Sequence, residues 1–105
     1  MTFNYANHIG YSDINPHEIV RRVSDRTIEI RAIDAERDPT FQAQFVAGGF
    51  SAHCLNQHDQ KWIITSNPNA RVIRIRLHKD GAWRDGNGER YVLAVKPIKF
   101  YDYNF

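Results

Sequence analysis

Residues 71–95, Arg-Val-Ile-Arg-Ile-Arg-Leu-His-Lys-Asp-Gly-Ala-Trp-Arg-Asp-Gly-Asn-Gly-Glu-Arg-Tyr-Val-Leu-Ala-Val, leave little choice but three antiparallel strands in series. Ile73, Ile75 and Leu77 alternate with Arg74, Arg76 and His78, the period of a strand with one buried face. Asp80-Gly81 supplies the positive φ angles that a tight hairpin needs. Asp85-Gly86-Asn87-Gly88 marks a second reversal before residues 89–95. This meander predicts a β fold and sets an arginine stripe on its solvent side.

Upstream, residues 8–11 read as a short first strand broken by Gly10, and residues 12–16 as a turn with Pro16 fixing φ. Residues 18–23 are the second predicted strand. Residues 27–32 are the third, with Ile28 and Ile30 facing inward. Residues 62–65 form the next, closed by Ser66-Asn67-Pro68-Asn69. Between them, residues 34–60 hold neither a 3.6 nor a 2.0 period for long. Gly48-Gly49 and the aromatic content disfavour a helix there. That leaves a functional loop pinned by Phe41, Phe45 and Phe50, or a short strand near residues 42–46. The aromatic tail, residues 98–105, is predicted to dock on the barrel or on a second subunit. The expected fold is all-β: a small SH3-like barrel or strongly bent antiparallel sheet of roughly five to seven strands, with a long central loop. Residues 1–105 are expected to form one β-rich domain.

A chain of 105 residues buries a core without metal or disulfide staples, and its 25% charged residues argue against disorder. Cys54 is the only cysteine, which excludes an intramolecular disulfide and suggests a reducing compartment. The first residues are polar and aromatic rather than leader-like, and no apolar run approaches the ~18 residues that span a bilayer. A cytoplasmic protein without membrane association is expected. Net charge is +2, unevenly spread: seven acidic against five basic side chains through residue 58, then five against nine. That asymmetry is modest beside the dense basic patch of a dedicated DNA binder.

Three groups of residues carry candidate chemistry. Arg74 and Arg76, with Arg71, Lys79, Arg84 and Arg90, can form a basic face on the meander. Alternate residues of a strand lie about 7 Å apart, near the spacing of successive phosphates. The competing reading is a solvated face whose charges block sheet-to-sheet aggregation, with Glu89 and Asp85 neutralising part of the stripe. His53, Cys54, His58 and Asp59 are the residue types of a zinc site or a Cys-His nucleophile. The paired spacing of a structural zinc site is missing, however, as are an oxyanion-hole motif and a nucleophile elbow. No metal, no cofactor and no catalysis are therefore expected. The third group is Tyr11-Ser12-Asp13 with Pro16 and His17, a polar turn suited to a ligand or a partner loop. Ser12 and Asp13 also have the local role of closing the turn through backbone bonds. Tyr11 must either pack or contact something.

Ile9-Gly10-Tyr11-Ser12-Asp13 with Pro16 and Val20, then Arg74, Lys79, Gly81 and Trp83, and finally Phe100-Tyr101-Asp102-Tyr103-Asn104-Phe105 resemble a family of small proteins of phages and phage-derived islands. The likeness touches both ends of the chain and leaves the middle uncovered. It implies a source and carries no catalytic residues. Small proteins of that source are often counter-defence factors that bind a host protein, as anti-CRISPR proteins do, or sequester a signalling nucleotide.

The function expected from the sequence is non-catalytic binding through Tyr11, Ser12, Asp13, His17, Phe50, His53, Arg74, Arg76 and Arg84. The first expected partner is a host defence protein. Nucleic acid or a nucleotide is the alternative, gripped by Arg74, Arg76 and Arg84, and a homodimer stays open.

Overall fold

The computed structural model describes residues 3–48, 51–54 and 56–103, with backbone alone for 45–48 and 51–53. Six strands close a barrel: β1 (Tyr5–Ile9), β2 (Ile14–Ser24), β3 (Thr27–Ala32), β8 (Val72–Leu77), β9 (Trp83–Arg84) and β10 (Arg90–Ala94). Around the wall the order is β1, β10, β9, β8, β3, β2, and every neighbouring pair is antiparallel. The all-β barrel expected from the sequence is what the chain forms.

Its core follows from the alternation. Ile28 lies opposite Ile75 and Ile30 opposite Ile73, so one face of β3 and β8 delivers isoleucines inward. Ala6, Ile28, Ile30, Ile75 and Tyr91 are buried, and Ile19, Ile73, Trp83 and Leu93 pack on them. Each fully buried isoleucine contributes about 1.5–3 kcal/mol over the exposed chain. The register of β2 against β3 shifts between Ile19 and Arg21 and again between Arg22 and Ser24. Such bulges bend a strand, and bending is what a six-stranded wall needs to close.

Both meander turns use the same device, and it differs from the expected one. Gly81 N–H donates to His78 O at 3.0 Å, and Gly88 N–H donates to Asp85 O at 3.1 Å. Among the described residues, positive φ occurs only at Gly81 (85°) and Gly88 (81°), and at no non-glycine residue. Asp80 therefore keeps an ordinary negative φ; each reversal is a hydrogen-bonded turn followed by one left-handed glycine, a three-residue hairpin with a glycine bulge. Asp85 Oδ1 secures the second turn by accepting from Asn87 N at 2.8 Å and Glu89 N at 3.0 Å.

The N-terminal half departs further from expectation. The first strand ends at Ile9, and the turn closes within Gly10–Asp13, where Gly10 N–H donates to Asp13 O at 2.9 Å. Pro16 is not in that turn: it lies buried within β2, opposite Asn7, and its carbonyl accepts from Ile33 N at 3.2 Å. Residues 34–60 are not one long loop. β4 (Asp34–Arg37) pairs with β7 (Trp62–Thr65), and β5 (Phe45–Gly48) pairs with β6 (Ser51–Cys54). Buried Phe41 lies between β4 and β5, buried Cys54 ends β6, and Asn56 fastens the segment by donating to Gln42 O (2.8 Å) and accepting from Gln44 N (2.7 Å).

The tail docks on its own chain. Asn7 points outward from β1 yet is buried, because residues 96–98 lie over it. Asn7 Nδ2 donates to Lys96 O at 3.2 Å, and Asn7 Oδ1 accepts from Ile98 N at 2.9 Å. Phe100 then pairs with Ile14 through two backbone bonds of 2.9 and 3.0 Å. Beyond it, Asp102 N–H reaches Asp13 Oδ1 (2.8 Å) and Tyr103 N–H reaches Gln57 Oε1 (2.9 Å).

Candidate functional site

The register of the meander carries the arginines into a row. Arg76 of β8 is the direct partner of Arg84 of β9, and Arg84 is the direct partner of Arg90 of β10. Direct cross-strand partners project to the same side of a sheet, here the outer one, since their neighbours Ile75 and Tyr91 face the core. With strands about 4.8 Å apart, the row from Arg76 to Arg90 spans roughly 10 Å across the hydrogen-bonding direction. It continues to Ile9, the partner of Arg90 and the residue before the Gly10–Asp13 turn.

Carboxylates answer some of the barrel's arginines but not this whole row. Glu29 takes Arg74 and Arg21, each at 3.1 Å; Glu18 takes Arg31 at 2.5 Å; Asp80 takes Arg84 at 3.0 Å. Among the described residues, Arg76 and Arg90 form no ion pair. The acids expected to neutralise the stripe are occupied elsewhere. Glu89 Oε2 meets His8 Nε2 at 3.0 Å, while Asp85 caps its own turn and accepts from Tyr91 OH at 3.0 Å. Asp80 sits below the usual carboxylate range because Ala82 N–H and then Arg84 donate to it.

Two clefts flank Arg76. One, of about 410 Å³, is lined by Arg74, Arg76, His78, Arg84, Asp85 and Gly86. The other, of about 610 Å³, is lined by Arg26, Arg76, Leu77, His78, Lys79 and Asp80. Arg76 thus sits on the ridge between two openings rich in cationic groups, while the nearby acids already hold hydrogen bonds of their own. Such a surface can hold anionic oxygens by charge-assisted hydrogen bonds.

The other sequence-predicted residues fall in three places. Tyr11, Ser12 and Asp13 form the β1–β2 turn, where Tyr11 is 94% exposed and Asp13 is tied to the tail. The row therefore runs from Arg76 to Ile9, beside this turn, and the structure aligns Arg76 and Arg84, with Arg74 on the same strand and Tyr11 two residues beyond Ile9 in the turn. His17 is separate: it faces the barrel interior, half-buried, its ring 5.3 Å edge-on from Tyr91 and 6.5 Å from His8. Burial pushes its imidazole below the ordinary 6.5, and burial with the Asp85 hydrogen bond pushes the Tyr91 phenol up. Phe50 and the side chain of His53 lie outside the described residues.

Arg90 belonged to the predicted stripe but not to the residues singled out from it, although the register makes it a full member of the row. The signal was present in the lengths of the two hairpins, which fix which arginine meets which. Asn7, Gln57 and Gln60, which clamp the tail, carry no comparable pattern. Among the described residues no three His, Cys, Asp or Glu side chains gather as a metal-holding group, and no helix is long and apolar enough to cross a membrane.

The chain is thus a small closed β-barrel with a cationic band on its outer wall. No protein-family model, curated protein or solved structure matches it.

Proposed function

We propose that this is a non-catalytic cytoplasmic binding protein that grips a phosphate-bearing anion, a nucleic acid or a nucleotide, through the band of Arg76, Arg84 and Arg90. The observation that carries this reading is the direct opposition of three arginines on three neighbouring strands. Like charges placed opposite each other destabilise a sheet. An anionic ligand lying across the row turns that repulsion into attraction. Arg74 and His78 extend the grip into the adjoining cleft.

A second reading has its own support. Tyrosine and arginine are the residue types that dominate protein–protein hot spots, and Tyr11 stands almost fully exposed at the end of the arginine row. With the resemblance to phage proteins, this favours a counter-defence inhibitor docking on an acidic patch of a host protein.

Purification from host lysate at low and high salt, with and without nuclease, separates the two. Nucleic acid or nucleotide that co-elutes at low salt and is lost at high salt is the outcome expected here. A host protein that stays bound through nuclease and high salt would replace it with the inhibitor reading.

A further inference from the structure

We propose that the band from Arg76 through Arg84 and Arg90 to Tyr11 takes a single strand of nucleic acid, its phosphates along the arginines and one base stacked on Tyr11. This rests on the anion-binding reading above and names the form of its ligand.

Three features favour a single strand over a duplex. The row follows the hydrogen-bonding direction around a closed barrel, so the surface it presents is convex and curved. A flexible single strand follows such a curve, whereas a duplex, stiff over ~150 base pairs, touches a convex wall only briefly. The row also ends beside a turn that carries an exposed aromatic ring. Arg90 lies opposite Ile9, and Tyr11 follows two residues later at 94% exposure. Base faces are open to an aromatic side chain only when the strand is unpaired. Finally, the ring's platform is fixed. Gly10 N–H donates to Asp13 O at 2.9 Å, and Asp13 Oδ1 accepts from Asp102 N at 2.8 Å, so turn and tail hold each other. The backbone that carries the ring is therefore ordered before binding, which leaves only the exposed side chain to be ordered by a base.

The arrangement divides the work between two kinds of residue. Arginines contact phosphates and set the salt dependence, while Tyr11 adds an uncharged stacking contact that salt leaves alone.

The test is fluorescence anisotropy on the full chain with labelled oligothymidine, alone and annealed to oligoadenine, across a salt series. The single strand is expected to bind more tightly than the duplex. Tyr11→Ala should lower single-strand affinity by about 5- to 100-fold with the salt slope unchanged, and Tyr11→Phe should keep most of it. Duplex binding as tight as single-strand binding, with Tyr11→Ala without effect, overturns the single-strand proposal while the arginine grip stands. Absence of binding to either form at low salt overturns both. Tyr11 is exposed, so its variants fold, and an unchanged unfolding midpoint for each confirms that the comparison is like for like.

Discussion

Arg76 and Arg84 are direct cross-strand partners on the outer wall of the barrel, and Asp80 pairs with Arg84 alone. Arg76 therefore faces another guanidinium with no carboxylate of its own among the described residues. A sheet selected only for stability has easy remedies for this, since threonine or glutamate at the same position would remove the repulsion.

Replacing Arg76 by threonine is thus predicted to leave stability unchanged or raise it by about 0.2–1 kcal/mol. Urea unfolding measures this directly. A loss greater than about 1 kcal/mol would mean that Arg76 has a structural partner and that its place in the row is not a cost.

The core makes the opposite prediction. Ile30 and Ile75 are each fully buried, so Ile30→Ala or Ile75→Ala should cost about 2–5 kcal/mol by the same unfolding measurement. Effects under 1 kcal/mol would place the barrel's centre elsewhere.

Asn7 is the clamp that holds the tail on β1. Asn7→Ala leaves the Ile98 N–H and the Lys96 carbonyl without their partner and should destabilise by about 1–3 kcal/mol. Amide hydrogen exchange at Ile98 should accelerate at the same time. Unaltered exchange there would show that the tail is held by other contacts.

Gly88 and Gly86 sit in the same reversal but are not equivalent. Gly88 has φ of 81°, whereas Gly86 has an ordinary φ and open space where a Cβ would go. Gly88→Ala is expected to cost about 1–2 kcal/mol and Gly86→Ala close to nothing. Equal costs at the two sites would contradict the turn geometry and, with it, the register that aligns Arg84 and Arg90.

Acid should weaken the fold in two steps. The His17 imidazole is held below its ordinary 6.5 chiefly by burial, so the unfolded chain binds its proton more readily. That contribution is complete above 6.5 and is lost as pH falls through the folded value. Glu18 is also held low: Ser66 and Arg31 hydrogen bonds outweigh the opposing effect of its burial. Its share is present above 4.5 and is lost at lower pH still. Unfolding free energy at pH 7.5 and at pH 5.5 should differ in the native chain and differ less in His17→Gln.

The legible and illegible parts of this fold separate along a physical line. Alternation over Ile73, Ile75 and Leu77, the isoleucines of β3 and the two glycine-bearing reversals are local signals, and each stands in the structure as an inward face or a turn. The aromatic tail was legible as docked because so many large rings do not stay in water. Pro16 misled because proline is a turn residue by local preference, while here pairing with Asn7 and the bond from Ile33 N–H give it a buried place in a strand. Residues 34–60 were opaque for a different reason: β7 at residues 62–65 was legible, but its partner β4 lies across 24 intervening residues (38–61), and four-residue strands such as β4 carry too little periodicity to announce themselves. The site shows both sides. The arginines were visible one by one, but their alignment depends on pairings across two hairpins, and a one-residue change in either turn would scatter them. His17 was grouped with Tyr11 by sequence proximity, whereas the alternation of β2 turns it into the barrel.

The central claim is that Arg76, Arg84 and Arg90 together hold the phosphates of a bound polyanion. Its most direct test is the salt dependence of oligothymidine affinity for the native chain, Arg76→Gln, Arg90→Gln and the double variant. The logarithm of affinity is expected to fall linearly with the logarithm of salt concentration, and each substitution to flatten the slope by about one. Binding whose slope is the same in all four proteins would contradict it, because the arginine row would then not be where the phosphates lie.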